Sequence, residues 1–139
     1  MEDIDGAIKS AHEWMGIAED AMKRQAHAKA VYCMEMAVEA AMKAVLIGVN
    51  IEVPKAHDVA GVAEISLIGN RKLQSSFSEG LNGFLETFRT LLKERTAAGY
   101  SFNYDEIAVK MKRLATDLFP KCKRIVDECD NEVKHIKKA

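Results

Sequence analysis

Residues 37–59 read A-V-E-A-A-M-K-A-V-L-I-G-V-N-I-E-V-P-K-A-H-D-V, and hold a heavily apolar helix, its stop and the next start. Val38, Ala41, Met42, Val45 and Leu46 recur at steps of three and four. Ala37, Ala40 and Ala44 widen that stripe until only Glu39 and Lys43 mark a wet side. A helix of this kind belongs in the middle of a packing arrangement. Gly48 and Asn50 tolerate the left-handed turn that ends a helix, and Pro54 biases Val53 away from helical geometry. Asp58 is a good N-cap for a helix starting at Val59, and His57 can share that role through a ring nitrogen.

The rest of the chain is placed around this stretch. Residues 4–25 carry Ile4, Ala7, Ile8, Ala11, Met15, Ala18, Ala21 and Met22 on one helical face, with Trp14 at its border. His27, Ala28 and Lys29 read as a short connection, and the second helix as starting at Ala30 or Val31, so the first two helices form an antiparallel hairpin. A short third helix covers 59–68 and ends at Gly69-Asn70. Residues 71–79 are ambiguous. From Phe77 the pattern Leu81, Phe84, Leu85, Phe88, Leu91, Leu92 is helical despite Gly80 and Gly83, and it fades near Ala98-Gly99. Phe77, Phe84 and Phe88 read as core. Asn103 or Asp105 caps a last helix with the stripe Ile107, Met111, Leu114, Leu118, Cys122, Ile125, Cys129, Val133, Ile136. Pro120 inside it implies a kink or two successive helices. No segment alternates as a strand does. The expected fold is all-α: an up-and-down four-helix bundle with a short additional helix as a crosspiece.

A length of 139 residues fits one domain, 1–139, able to build a core without disulfides or a structural metal. A net charge of -1 argues against attachment to nucleic acid by bulk charge. No run is apolar for long enough to span a membrane, and the acidic start M-E-D-I-D is unlike a secretory signal, so a cytoplasmic location is the expectation. Cys33, Cys122 and Cys129 are an odd number with no Cys-x-x-Cys pair, and read as buried thiols.

A-V-E-x-A-M-K-A-V-L followed by N-I-E-x-P-K-A-H-D resembles the second helix and following loop of HEPN domains, with Tyr32 where that family usually has an aromatic residue. The similarity extends to Arg95-Thr96-Ala97-Ala98-Gly99-Tyr100 and to Tyr104-Asp105-Glu106-Ile107-Ala108. The resemblance implies a compact helical bundle, commonly a homodimer, often encoded beside a small nucleotidyltransferase in toxin-antitoxin or defence modules. It also implies the handling of a nucleotide or RNA. Active members cut RNA without a metal, using an Arg and a His separated by four to six residues. Imidazole moves a proton near neutral pH while guanidinium holds the phosphate.

This chain departs from that motif. With four residues between, Arg95 is followed by Tyr100, and the histidines are His12, His27, His57 and His135, none of them at the required distance after an arginine. A phenol titrates at about 10 and is a poor proton carrier at neutral pH. Arg95, Tyr100 and Tyr104 are therefore ligand-binding candidates, for a phosphate and a base or ribose, with no catalytic residue assigned. The plainer reading of Arg95 is a helix-end arginine satisfying carbonyls or a neighbouring acid.

Other constellations have structural readings. Glu132-Val133-Lys134-His135 has the Glu-x-x-His spacing of di-iron bundles but no second copy, and reads as a solvated helix end. Lys110, Lys112, Arg113, Lys121, Lys123 and Arg124 make the last helix basic on its outer face, whereas the first helix is acid-rich. No metal or cofactor is called for. Met34, Met36, Val45, Leu46, Ile47 and Val49 cannot all face one seam, and a homodimer would cover the surplus. The leading expectation is a HEPN-like nucleotide- or partner-binding subunit, without catalysis. The alternatives are a metal-independent RNase with a divergent site in which Arg95 and Tyr100 or Tyr104 contribute, and a purely structural assembly protein.

Overall fold

In a computed structural model, described for residues 3–100 and 104–139 except the side chains of Tyr100, Tyr104 and Glu106, the chain is five α-helices, with no strand among the described residues. They are α1 (Ile4–Lys23), α2 (His27–Gly48), α3 (Ala60–Leu67), α4 (Ser75–Tyr100) and α5 (Tyr104–Lys138). The architecture is the expected all-α bundle of four long helices and a short one.

The connections are tighter than their sequences suggest. Gln25 takes the left-handed conformation at φ 59°, and the Ala26 N–H donates to the Ala21 carbonyl at 2.8 Å. This closure uses only residues 24–26, so α2 begins at His27 and the expected connection is helical. At the other end of α2 the left-handed residue is Asn50, φ 64°, and the Ile51 N–H reaches the Leu46 carbonyl at 2.9 Å. Gly48 has a different role from the one its position suggests. It is helical, and a Cβ there would meet Ile4 Cδ1 at 3.1 Å and Ile136 Cδ1 at 3.2 Å, so its bareness lets the start of α1 and the end of α5 close over it.

α3 starts one residue later than expected, with Val59 at its N-cap position; Asp58, just before it, accepts the Ala60 N–H at 3.1 Å. Gly69 (φ 77°) ends that segment, and Asn70 braces the turn by donating to the Ser66 carbonyl and accepting the Lys72 N–H. The ambiguous stretch resolves into a loop to Gln74 and helix from Ser75. α5 runs as one helix through Pro120 to Lys138, so the two-helix alternative is not taken and the charged tail stays helical. Asp105 lies inside α5, not at its cap, and Asn103 lies outside the described residues.

α2 is the central element. It packs on α1, α4 and α5, whereas among the described residues α3 meets α2 and α4 but neither α1 nor α5. Being wrapped on several sides explains why its apolar residues do not fit one seam: Met34, Val45 and Leu46 are wholly buried and Val49 nearly so. The apolar surplus expected to need a partner is thus absorbed mostly within the chain. Phe77, Phe84 and Phe88 are core as expected, Phe77 and Phe84 meeting edge to face at 5.8 Å between ring centroids. All three cysteines are free and buried. Among the described residues no helix is long and apolar enough to cross a membrane.

Candidate functional site

α1 and α4 both pack on α2 but not on each other, and α5 lies against all three. A strip of α2 is therefore the floor between two helices that do not meet. Along α2, Tyr32, Glu35, Glu39 and Lys43 follow one another at steps of three and four, which puts them on a common face, and Met36, four beyond Tyr32 and three before Glu39, borders it. Ala7, Ser10 and Trp14 of α1 wall a cavity of about 340 Å³ over Met36, Glu39 and Lys43, and residues 53–55 of the α2–α3 loop close its end. Arg95 reaches the same strip from α4.

Arg95 is not a solvated helix-end arginine. Its Nε lies 3.2 Å from Glu35 Oε1, its Nη2 donates to Tyr32 Oη at 3.4 Å and approaches Met36 Sδ at 3.9 Å, and its guanidinium sits 5.2 Å from the Tyr32 ring centroid. The Arg95 side chain keeps 15% of its exposure and that of Glu35 none. An aromatic body and a buried acid together fix the plane of the guanidinium.

Glu35 is an expensive residue to bury. Neither of its oxygens accepts a hydrogen bond from an N–H donor, because the Arg95 Nε contact is close but poorly aligned. Burial pushes the carboxyl up to about 8; the Glu39 charge one turn away and a hydrogen bond from the protonated Glu35 carboxyl to Glu39 add to the rise, and Arg95 and Lys43 oppose it. At neutral pH the site accordingly favours a proton on Glu35. Glu39, itself buried, accepts from Lys43 Nζ at 2.9 Å and from His57 Nδ1 at 3.0 Å. The wet side expected for α2 at Glu39 and Lys43 is instead a half-covered polar floor.

The outcome is a connected chain, Arg95–Glu35–Glu39–His57, assembled from α4, α2 and the loop before α3. The His57 ring takes no part at the start of α3, where Asp58 accepts the Ala60 N–H, and turns back to Glu39. Of the predicted ligand-binding residues, Arg95 is the one whose surroundings are described. The backbones of Tyr100 and Tyr104 end α4 and begin α5, but their side chains lie outside the described residues. Glu35 and His57 were the members hardest to read from sequence. The available signal was Glu35, Glu39 and Lys43 at four-residue steps inside an otherwise apolar helix, where a charge must be either exposed or matched.

Other candidates fall elsewhere. His12 meets Asp130 at 2.8 Å on the α1–α5 surface, and His135 is exposed. Glu132 is buried, not solvated: its two oxygens accept the Gln74 N–H at 2.6 Å and the Gln74 side-chain amide at 2.9 Å, anchoring the start of α4 on α5. On the basic face, Lys110 pairs with Glu94 at 2.9 Å, and Lys121 and Arg124 edge a cavity of about 410 Å³ between α4 and α5 that Glu79 and Glu86 also line.

Neither the curated proteins nor the solved structures yield a match to this chain. A family model described as the HEPN domain matches residues 5–133. With nearly the whole chain covered, the protein belongs to the HEPN domain family.

Proposed function

We propose that this HEPN protein is a nucleotide- or partner-binding subunit of a nucleotidyltransferase-associated toxin-antitoxin or defence module, cytoplasmic, homodimeric and without catalysis of its own. The observation that supports it is the fixed guanidinium of Arg95. Glu35 and Tyr32 engage Nε and Nη2, which sets the orientation of the planar fork for a phosphate oxygen. Trp14 lines the cavity over Met36, the α2 residue whose sulfur Arg95 approaches, and supplies a flat apolar surface there, the chemistry a nucleobase needs. Tyr100 and Tyr104 are carried in the proposal as further contacts, on their positions at the adjoining ends of α4 and α5.

Titrating ATP or GTP while following Trp14 fluorescence and thermal stability tests the reading. Saturable binding that Arg95→Ala weakens supports it. Failure of both nucleotides to bind, together with failure to retain a nucleotidyltransferase encoded beside it, leaves it without support. Sedimentation showing only monomer at tens of micromolar would remove the dimer from the proposal.

A second reading, metal-independent RNA cleavage, has one observation in its favour. The carboxylate pair links a histidine, His57, to Arg95, although the two lie far apart in sequence. Imidazole is the proton carrier that the sequence after Arg95 lacks. Incubating single-stranded RNA in EDTA with wild type, Arg95→Ala and His57→Ala decides it: cleavage that both variants lose supports this reading, and no cleavage by wild type rejects it.

A further inference from the structure

We propose that Glu35, Glu39 and His57 form a binding site for a divalent transition-metal ion of the zinc type. One ligand atom from each of the three lies within 4.8 Å of the other two. Tetrahedral zinc with ligands at about 2.0–2.1 Å holds its donor atoms about 3.3 Å apart, so the three converge on one ion with small side-chain adjustments. His57 Nδ1 and Glu39 Oε1 are already at 3.0 Å.

Glu35 is an independent sign of a ligand. It is fully buried, one of its oxygens lies within 4.8 Å of ligand atoms of Glu39 and His57, and neither oxygen accepts a hydrogen bond from an N–H donor. A buried carboxyl in that condition offsets its desolvation cost either by holding a proton or by binding a cation, and zinc takes the place of that proton when it binds. Lys43 holds Glu39 Oε2 and Arg95 sits on Glu35 Oε1. The oxygens left over, Glu35 Oε2 and Glu39 Oε1, are the two that join His57 Nδ1 as donors. Lys43 and Arg95 then act as outer partners that orient the ligating carboxylates.

The donor set selects the ion. One imidazole and two carboxylates suit zinc, whereas calcium takes six to eight oxygens and magnesium keeps a largely aqueous shell. Three protein ligands leave a coordination position for water or another oxygen donor. His57 gives access, since its side chain is 53% exposed on the loop before α3.

Calorimetric titration of the full-length, EDTA-stripped protein with zinc chloride tests the site. His57→Ala is the decisive variant, because an exposed loop residue is removed without disturbing the core. Wild type is expected to bind one ion per chain, and His57→Ala to bind at least about tenfold more weakly. His12→Ala, which removes the His12–Asp130 pair, should bind as wild type does. With cobalt in place of zinc, absorption should lack the intense near-ultraviolet band of a thiolate ligand. Wild type that ignores millimolar zinc, His57→Ala that binds unchanged, or a thiolate band would each overturn the assignment.

Discussion

Arg95 Nε and Glu35 Oε1 lie 3.2 Å apart, joining the end of α4 to the middle of α2 beside a carboxyl group that has no exposure at all. Burial raises the Glu35 carboxyl from its ordinary 4.5 to about 8, so the folded protein holds a proton that the unfolded chain releases. The contribution of that proton to stability is complete below pH 4.5, declines as pH rises, and is lost once pH passes about 8. In EDTA, the stability of wild type relative to Glu35→Gln should therefore fall between about pH 5 and about pH 9, by on the order of 2 kcal/mol. Urea unfolding at the two pH values measures it, and a difference that stays constant would contradict it.

Removing Arg95 should expose the same group. Breaking a buried pair typically costs about 3–5 kcal/mol, but Glu35 escapes part of that cost by staying protonated. Arg95→Ala is expected to destabilise by about 1–3 kcal/mol near pH 6 and by more near pH 9. Denaturant midpoints that drop equally at both would mean that Glu35 is not the partner that matters.

Glu132 ties α5 to the start of α4 through two hydrogen bonds to Gln74. Glu132→Ala leaves the Gln74 N–H without its acceptor, with an expected cost of about 2–3 kcal/mol. Hydrogen exchange should quicken in the first turn of α4 ahead of the rest of that helix. Glu132→Gln, which retains one acceptor oxygen, should recover part of the loss.

The thiols give a kinetic prediction. Burial pushes the Cys122 thiol up to about 12 and raises Cys129 still further, with the acids around Cys129 adding to the effect; Cys33 is raised as well. Thiolate is the reactive form, so a disulfide reagent should modify all three in denaturant but Cys122 and Cys129 only at the rate of unfolding in native protein. Rapid native labelling of either would contradict their placement.

Gly48 lies under Ile4 and Ile136, both half-buried at helix ends and able to give way slightly. Gly48→Ala should be within about 1 kcal/mol of wild type, helix propensity offsetting the crowding. Gly48→Leu should cost about 1–3 kcal/mol by overpacking. Thermal unfolding of the pair checks the distinction.

Helical periodicity made the architecture legible in advance, since Val38, Met42 and Val45 announce α2 as central whatever surrounds it. Loop lengths were less legible, because the Gln25 and Asn50 closures depend on backbone conformations that composition does not specify. Arg95 was legible from the family motif around it. Glu35 and Glu132 were not, since a glutamate on a helix reads as solvated until its burial is known. Three-dimensional pairing alone gives them partners. His57 was visible only as a neighbour of Asp58, and its real partner lies on α2, in a different element.

Equilibrium binding of a labelled nucleotide or short single-stranded RNA at fixed ionic strength, in EDTA and with wild type, Arg95→Lys and Arg95→Ala, tests the central claim most directly. Lysine keeps the charge but lacks the planar fork that Glu35 and Tyr32 orient. The account predicts saturable binding by wild type that weakens by about tenfold or more in both variants. Binding that Arg95→Ala leaves intact, or no binding to wild type, would contradict it.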